Sequence, residues 1–323
     1  MVVGRLAPSP TGAQHLGNAR TFLLAWLSIR SRNGHLILRI EDLDSPRVKP
    51  WAIYQAIEDL RWLGLDWDEG PGAHRENRQY IQSERVDLYR DALEKLKSAE
   101  KVYPCSCSRS DVLEAASAPH EMSDGPVYGR TCYHLRVSDA PADPSGYCWR
   151  FRTESREHIL EDGFRGSISC NLAEELGDFV VFRNQRSPAY QLSVVVDDHE
   201  MGVNEVLRGD DLVQSAFRQQ ALYDFFGWPA PKNIHVPLVV GPDGRRLAKR
   251  HGDTRLSYFR EQGVPAERII GLLACSLGWL DQPTCISAAE LLDCFDLKSL
   301  PDQPFVFGPA ELAWIESGKL PVQ

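Results

Sequence analysis

Short apolar runs alternate with longer segments of helical spacing along the N-terminal part of the chain. The β-branched residues Val2 and Val3 suit a short buried strand. Residues 21–30 are rich in Leu, Ala, Trp and Ile and contain neither Gly nor Pro, which predicts a helix. A second strand at 35–40 and a second helix at 52–63 follow. This order is typical of an α/β fold with a parallel sheet.

The pattern changes at Tyr103. Before it, residues 84–100 carry a helical stripe of apolar positions. From 105 to about 187, short apolar runs are interrupted by Gly, Pro, Ser and Asp, which predicts an inserted subdomain. Nearly continuous apolar runs at 191–196 and 235–240 then predict buried strands.

Two helical regions complete the pattern. Residues 213–226 are predicted to form a helix that Asp210 or Asp211 caps. After residue 253, apolar positions dominate again to about residue 315, which predicts a C-terminal helical subdomain.

Composition restricts the class of protein. The 323 residues are 43% hydrophobic and 25% charged, as in a soluble globular chain, and no run approaches the roughly 20 apolar residues of a membrane span. No signal peptide is visible, so the cytoplasm is the expected location. The net charge of −9 argues against a broad, nonspecific nucleic-acid binder, although basic residues cluster at 245–255.

The densest candidate chemistry lies in the loop between the first strand and the first helix. Residues 5–12 read RLAPSPTG, and residues 15–18 read HLGN. The two prolines stiffen the loop, and the two glycines allow a ligand close to the backbone. A helix that begins near Gly17 or Asn18 points unpaired N–H groups at an anion, and a phosphate suits that position best. His15 adds a further hydrogen-bond donor.

This loop resembles the HIGH signature of class I aminoacyl-tRNA synthetases, in the R-x-A-P-S-P-T-G-x-x-H-x-G-N form of the glutamyl branch. Three later segments resemble the same branch: LRIEDLD at 38–44, PAYQLSVVVDD at 188–198 and VLRGDDL at 206–212. The segment RRLAKR at 245–250 resembles the second signature, KMSKS, with Arg246 and Ala248 in place of its first Lys and its Ser.

The resemblance implies roles for particular residues. The residues implied to bind the substrate glutamate are Arg5, Ala7, Ser9, Glu41, Tyr190 and Arg208. Arg5 and Arg208 would pair with its carboxylates and Glu41 with its ammonium group. The residues implied to bind ATP are His15, Gly17, Asn18 and Lys249, of which His15, Asn18 and Lys249 are the candidate catalytic residues. Magnesium is expected with the ATP phosphates.

The resemblance covers about residues 2–315 and implies a Rossmann-like parallel sheet. It also implies an inserted zinc-binding, acceptor-type subdomain and a C-terminal helical subdomain. The expected boundaries are 1–103 for the first half of the nucleotide-binding catalytic domain, 104–187 for the insertion, 188–252 for the second half with the KMSKS-like loop, and 253–323 for the helical subdomain.

Three of the eight cysteines, Cys105, Cys107 and Cys132, cluster in the inserted stretch, and the others are scattered. Thiolates are good zinc ligands, but structural zinc sites usually have four ligands. The candidates for the fourth are Tyr128, His134 and His120. Coordination chemistry favours His134, and the resemblance favours the Tyr128 oxygen. We expect one structural zinc ion, with free thiols and no metal as the alternative.

The implied reaction has two steps. Glutamate attacks the α-phosphate of ATP to give glutamyl-adenylate and pyrophosphate, and the acyl group then passes to RNA. No nucleophile triad is visible, so catalysis would rest on positioning and electrostatics.

The acceptor RNA is a separate question. The sequence ends soon after a segment at 305–315 that resembles the entry to the anticodon-binding region. This favours the short members of the branch, which attach glutamate to the queuosine base of tRNA(Asp). The expected partners are therefore glutamate, ATP and the tRNA(Asp) anticodon stem-loop, bound by a monomer. Two alternatives are a minimal glutamyl-tRNA synthetase that charges a 3′ end, and a non-catalytic binding paralogue, which Arg246 and Ala248 favour.

Overall fold

The fold is taken from a computed structural model. It describes residues 1–43, 47–73, 78–108, 110–112, 127–183, 187–245, 247 and 252–319. The helices of this part are α1 (Leu16–Arg30), α2 (Pro50–Trp62), α3 (Val86–Ser98), α4 (Tyr190–Glu200), α5 (Val213–Phe226), α6 (Leu256–Glu261), α7 (Ala266–Ser276) and α8 (Pro309–Ser317). Its strands are β1 (Val3–Leu6), β2 (His35–Leu38), β3 (Val102–Cys105), β4 (Cys148–Phe151), β5 (Glu157–Asp162), β6 (Gly166–Asn171), β7 (Phe179–Phe182), β8 (Glu205–Gly209), β9 (Lys232–Val236), β10 (Val239–Val240) and β11 (Phe305–Val306).

Two parallel strand pairs form the centre of the nucleotide-binding half. β1 pairs with β2, and β8 pairs with β9, both in parallel register. The second pair lies beside the first, because the N–H of Asn204, just before β8, donates to the Val3 carbonyl at 3.0 Å. α1 packs so closely on β1 that a Cβ at Gly4 would lie 2.5 Å from the Ile29 side chain. The predicted β–α–β order at the N-terminus is confirmed.

The stretch between these two pairs contains its own sheet. β3, β4 and β7 form an antiparallel three-stranded sheet, and β5 and β6 form an antiparallel hairpin. An apolar core of buried aromatic side chains, among them Trp149, Phe151 and Phe179, joins this sheet to α3, α4 and α5. The inserted stretch is therefore packed against the helices that follow the sheet rather than standing apart from them.

The prediction of a strand at 191–196 is wrong, because these residues lie inside the helix α4. Leu192, Val194, Val195 and Val196 are all buried there. A helix that is surrounded by protein on nearly every side has the same continuous apolar run as a strand buried on both faces. Hydrophobicity alone could not separate the two.

Two boundaries also differ from the prediction. The expected strand at 235–240 is interrupted at 237–238, where Pro237 lies between β9 and β10, since proline cannot donate to a strand ladder. Neither Asp210 nor Asp211 caps α5. Leu212 is its N-cap residue, and the two aspartates lie in a preceding 3₁₀ turn.

The C-terminal part is helical, as predicted, and it packs on the same core as α1 and the parallel strands. In the described ranges, none of the helices has both the length and the apolarity that crossing a bilayer requires.

Replacing Gly271 in α7 by alanine tests this packing. A Cβ at this position would lie 1.5 Å from the Thr284 carbonyl oxygen. Intrinsic helix propensity favours alanine by about 1 kcal/mol, but the clash should dominate and lower the free energy of unfolding by about 1–3 kcal/mol. Thermal unfolding should show a lower midpoint for Gly271→Ala. The control Gly146→Ala, where a Cβ meets nothing within 4 Å, should leave the midpoint nearly unchanged. A raised midpoint for Gly271→Ala would contradict the packing.

Candidate active site and metal centre

A cavity of about 640 Å³ opens at the carboxyl ends of β1, β2 and β8. Ligands of open parallel sheets bind at this edge. Nine of the ten residues predicted to bind glutamate or ATP line it, and these are Arg5, Ala7, Ser9, His15, Gly17, Asn18, Glu41, Tyr190 and Arg208. The tenth, Lys249, lies outside the described residues, as do Arg246 and Ala248. Sequence segments far apart in the chain thus converge on one pocket.

Two buried arginines give the cavity its positive charge. Arg5 and Arg208 are only 7% and 4% exposed. Burial lowers the pKa of Arg5, and the negative charge of nearby Asp198 acts in the opposite direction. Among the described residues, Arg5 Nε and Arg208 Nη1 have no hydrogen-bond partner. Because buried polar groups are almost always hydrogen-bonded, two such guanidinium groups fit a carboxylate ligand.

A third arginine, Arg39, holds the acidic residues of the site and is fully buried. Its Nη1 donates to Asp198 Oδ1 at 2.6 Å, and its Nη2 donates to Glu41 Oε1 at 3.0 Å. Burial raises the pKa of Glu41, and the charges of Arg39 and Arg5 act against that rise. The Glu41 carboxylate is therefore oriented toward the cavity by a fixed partner, where it can accept from a ligand ammonium group.

Arg208 is fixed by a chain of buried groups that sequence reasoning missed. Its Nε donates to His235 Nε2 at 3.0 Å, and His235 Nδ1 lies 2.6 Å from Asp162 Oδ2. Burial lowers the pKa of His235, and Arg208 also acts in that direction. Because Nε2 accepts from Arg208, the ring proton lies on Nδ1, toward Asp162. No sequence signal marked Asp162, because it comes from β5 in the inserted stretch.

More of the backbone N–H groups at the N-terminus of α1 have hydrogen-bond partners than the sequence predicts. His15 is its N-cap residue, and its Nδ1 accepts from the Gly17 N–H at 3.1 Å. The Leu16 N–H donates to the Thr254 carbonyl at 3.1 Å. The ring proton of His15 is consequently on Nε2. An anion here would be stabilised by the helix dipole and by His15, with fewer backbone N–H groups than a bare helix end offers.

The three clustered cysteines form a compact group with Tyr128. The sulfur atoms of Cys105, Cys107 and Cys132 lie within 4.8 Å of one another. The Tyr128 oxygen is 3.3 Å from Cys105 Sγ and 3.7 Å from Cys107 Sγ, and the Cys132 N–H donates to it at 2.9 Å. Ligand atoms around a tetrahedral zinc ion lie about 3.5–3.8 Å apart, so these four residues fit one zinc ion.

Of the two histidine candidates for the fourth ligand, the structure describes His134, which does not join this group. His134 is exposed, and the metal-ligating cluster found among the described residues does not include it. His120 lies outside the described residues. The geometry therefore favours the Tyr128 oxygen, which the family resemblance chose and coordination chemistry alone did not.

Two neighbours of the cluster were not anticipated. Cys148 lies directly opposite Cys105 in the β3–β4 pairing, so it is not an isolated thiol. Arg150 Nε donates to Cys105 Sγ at 3.2 Å, and its guanidinium lies 3.9 Å from the centre of the Tyr128 ring. Hydrogen bonds from Cys148, Tyr128 and Arg150 hold the pKa of the Cys105 thiol well below its usual range. Such partners favour the thiolate that a metal requires.

Comparison with known proteins places the whole chain in one family. Residues 1–314 match the family described as tRNA synthetases class I (E and Q), catalytic domain. A relative from Rhodopirellula baltica named glutamyl-Q tRNA(Asp) synthetase is 50% identical over 94% of this chain and 96% of its own length. A relative of the same name from Symbiobacterium thermophilum is 48% identical over 98% and 99%.

Longer relatives match as well. The glutamate–tRNA ligase of Aquifex aeolicus is 38% identical over 96% of this chain, which spans 65% of that protein. Among solved structures, a glutamate tRNA ligase from Elizabethkingia meningosepticum in complex with its amino acid superposes with a TM-score of 0.81. The two sequences are 29% identical, and the superposition covers 97% of this chain and 68% of the ligase chain. The predicted class I synthetase fold is confirmed.

Zinc content tests the metal centre. The wild-type protein should carry about one zinc ion, released by a thiol reagent and measured with a colorimetric chelator. Cys132→Ser and Tyr128→Phe should each lower zinc affinity by at least roughly tenfold, because each removes one of the four ligand atoms. The matched control is Cys294→Ser, an exposed thiol elsewhere, and it should leave zinc content unchanged. Loss of zinc in His134→Ala, with retention in Tyr128→Phe, would contradict the assignment.

Proposed function

Because the chain belongs to the class I tRNA synthetase (E and Q) catalytic-domain family, we propose that it is a ligase that activates glutamate with ATP and transfers it to tRNA. The observation that carries this proposal is the pair of buried guanidinium groups, Arg5 and Arg208, which line one cavity with Glu41 and each have an N–H that makes no hydrogen bond among the described residues. Two cations and one anion match the charges of a glutamate zwitterion.

In the proposed complex, Arg5 and Arg208 bind the two glutamate carboxylates, and Glu41 accepts from the ammonium group. Tyr190 lines the same cavity, where its ring and hydroxyl limit the position of the glutamate side chain. Ala7 and Ser9 supply the loop wall beside it. Because Arg208 is tied to His235 and Arg39 to Glu41, both recognition groups are oriented before the substrate arrives.

In the activation step, a glutamate α-carboxylate oxygen attacks the α-phosphorus of ATP. A new P–O bond forms, the bond to the bridging oxygen of pyrophosphate breaks, and its electron pair leaves with pyrophosphate. His15 Nε2–H and the positive end of α1 stabilise the phosphate charge as it shifts, and Asn18 lies beside them in the cavity. The magnesium ion that accompanies ATP supplies further charge neutralisation on the phosphates.

Lys249 is proposed as the pyrophosphate-binding residue. Two backbone hydrogen bonds support the proposal, because they join residues 254–256, which follow Lys249 in the sequence, to residues 14–16 of the first signature. The Leu16 N–H donates to Thr254, and the Leu256 N–H donates to Gln14. Residues 254–256, which follow the second signature in the sequence, are thereby tied to residues 14–16.

In the transfer step, a hydroxyl oxygen of the acceptor attacks the glutamyl carbonyl carbon, an ester forms, and AMP leaves. We propose the queuosine base in the tRNA(Asp) anticodon as the acceptor and a monomer as the active species. The proposal is supported by the relatives named glutamyl-Q tRNA(Asp) synthetase, which are 48–50% identical over nearly their whole length. The second candidate, charging of a tRNA 3′ end, is supported by the glutamate–tRNA ligases at 38% identity.

Transfer of labelled glutamate separates these acceptors. We expect label on a tRNA(Asp) anticodon stem-loop that contains queuosine, and none on the same stem-loop with guanosine or on tRNA(Glu). The guanosine stem-loop is the matched control, because it has the same 3′ end. Label on tRNA(Glu) alone would establish the 3′-end ligase instead. Absence of label on every RNA, with no glutamate-dependent pyrophosphate exchange, would refute catalysis.

Arg208→Ala tests the glutamate site. It should lower kcat/KM for glutamate in pyrophosphate exchange by roughly 100-fold, because charge-assisted hydrogen bonds contribute about 1.5–3 kcal/mol. The KM for ATP should change far less. The control Arg90→Ala removes an exposed arginine that pairs with Asp87 on its own helix, and its activity should match the wild type. Equal losses for glutamate and ATP in Arg208→Ala would point to misfolding rather than to a recognition role.

A further inference from the structure

Two large aromatic side chains are exposed on α2. Trp51 is 53% exposed and Tyr54 is 73% exposed. They are three residues apart, so they lie on the same face of the helix. The opposite face, with Ala52, Ala56 and Leu60, is buried against the core. The two rings therefore contribute little to holding the helix in place, although aromatic side chains normally bury most of their surface.

The approach to these rings is positively charged. Lys49 is exposed immediately before α2. It is the N-cap residue, and no side chain caps this end of the helix, so the partial positive charge of α2 adds to the charge of Lys49. The exposed carboxylate farther along the helix, Glu58, is paired with Arg260 at 3.1 Å. Rings and cations together match the bases and phosphates of single-stranded nucleic acid.

This surface is continuous with the rim of the cavity. The Lys49 N–H donates to the Pro10 carbonyl at 2.9 Å, which ties the start of α2 to the loop of the first signature. The neighbours of Pro10, Ser9 and Thr11, line the cavity. The Glu41 N–H donates to the Pro8 carbonyl of the same loop at 3.1 Å. A nucleotide that reaches the cavity from this side must pass the N-terminal turn of α2.

We propose that Trp51 and Tyr54 form a stacking surface for unpaired bases of the acceptor RNA, with Lys49 and the N-terminal end of α2 holding an adjacent phosphate. This inference rests on the proposed function in one respect, which is the identity of the RNA. Sequence-specific recognition of RNA usually uses splayed bases on aromatic side chains. The surface binds the nucleotides next to the one that enters the cavity.

The test measures RNA binding and amino-acid activation separately. Fluorescence anisotropy at a fixed salt concentration gives the Kd for a labelled tRNA(Asp) anticodon stem-loop. Trp51→Ala/Tyr54→Ala should raise this Kd by roughly tenfold or more, the effect expected for loss of stacked bases. Trp51→Phe/Tyr54→Phe should stay close to the wild type, because both rings remain. Glutamate-dependent pyrophosphate exchange without RNA should be unchanged in both variants, since neither ring lines the cavity.

The outcomes are distinguishable. An unchanged Kd in the alanine variant overturns the stacking surface, whatever the exchange activity. Dissociation of a wild-type dimer by the same variant, with unchanged RNA affinity, assigns the face to a second copy and also overturns it. A wild type without exchange activity, but with ring-dependent RNA binding, refutes the proposed ligase and supports the surface. The control Leu88→Ala, an exposed apolar residue on α3, should leave the Kd unchanged.

Discussion

The site depends on one buried cation, Arg39, between three carboxylates. It donates to Asp198 and Glu41, and its Nε lies 3.8 Å from Asp197 Oδ2. A buried charge is tolerated only when it is paired and hydrogen-bonded, and loss of one partner leaves the others uncompensated. Because Arg39 follows β2 and the two aspartates lie on α4, this group joins the sheet to the helix that carries Tyr190.

The same network extends to α3. Asp197 accepts from Arg85 Nε at 2.7 Å, from Gln82 Nε2 at 2.8 Å and from the Tyr89 hydroxyl at 2.9 Å. Burial beside Asp197 raises the pKa of Tyr89, so this hydroxyl remains a donor. The carboxylate therefore ties α3 and α4 to the cavity floor. Every element that supplies a proposed glutamate ligand is linked, directly or through one residue, to Arg39 or to Arg208.

Much of the pocket could be predicted from sequence, because many of its residues lie close together in one loop. The residues of the loop at 5–18 are neighbours in the sequence and therefore in space. The sequence motif alone thus indicates which side chains lie together in the site. Asp162 and His235 could not be predicted, because their relation to Arg208 exists only after the β5–β6 hairpin packs against β9. The helix at 190–200 was misassigned because complete burial removes the amphipathic period. Tyr128 was identifiable only by resemblance, since coordination chemistry favoured a histidine.

The burial of the Arg5 and Arg208 guanidinium groups has a consequence for selectivity. Folding has already removed water from these two guanidinium groups. A ligand that hydrogen-bonds to them compensates for their lost hydration, and a ligand that cannot do so leaves that loss uncompensated. A side-chain amide of the same shape as a carboxylate carries no charge, and its NH₂ group would face guanidinium N–H groups, which are also donors. Such an isostere would bury a donor against a cation, which a pocket built from hydrogen-bonding groups rejects far more strongly than a mere difference in size. In the proposed complex, discrimination between the acid and its amide thus follows from groups that are already fixed in the folded protein.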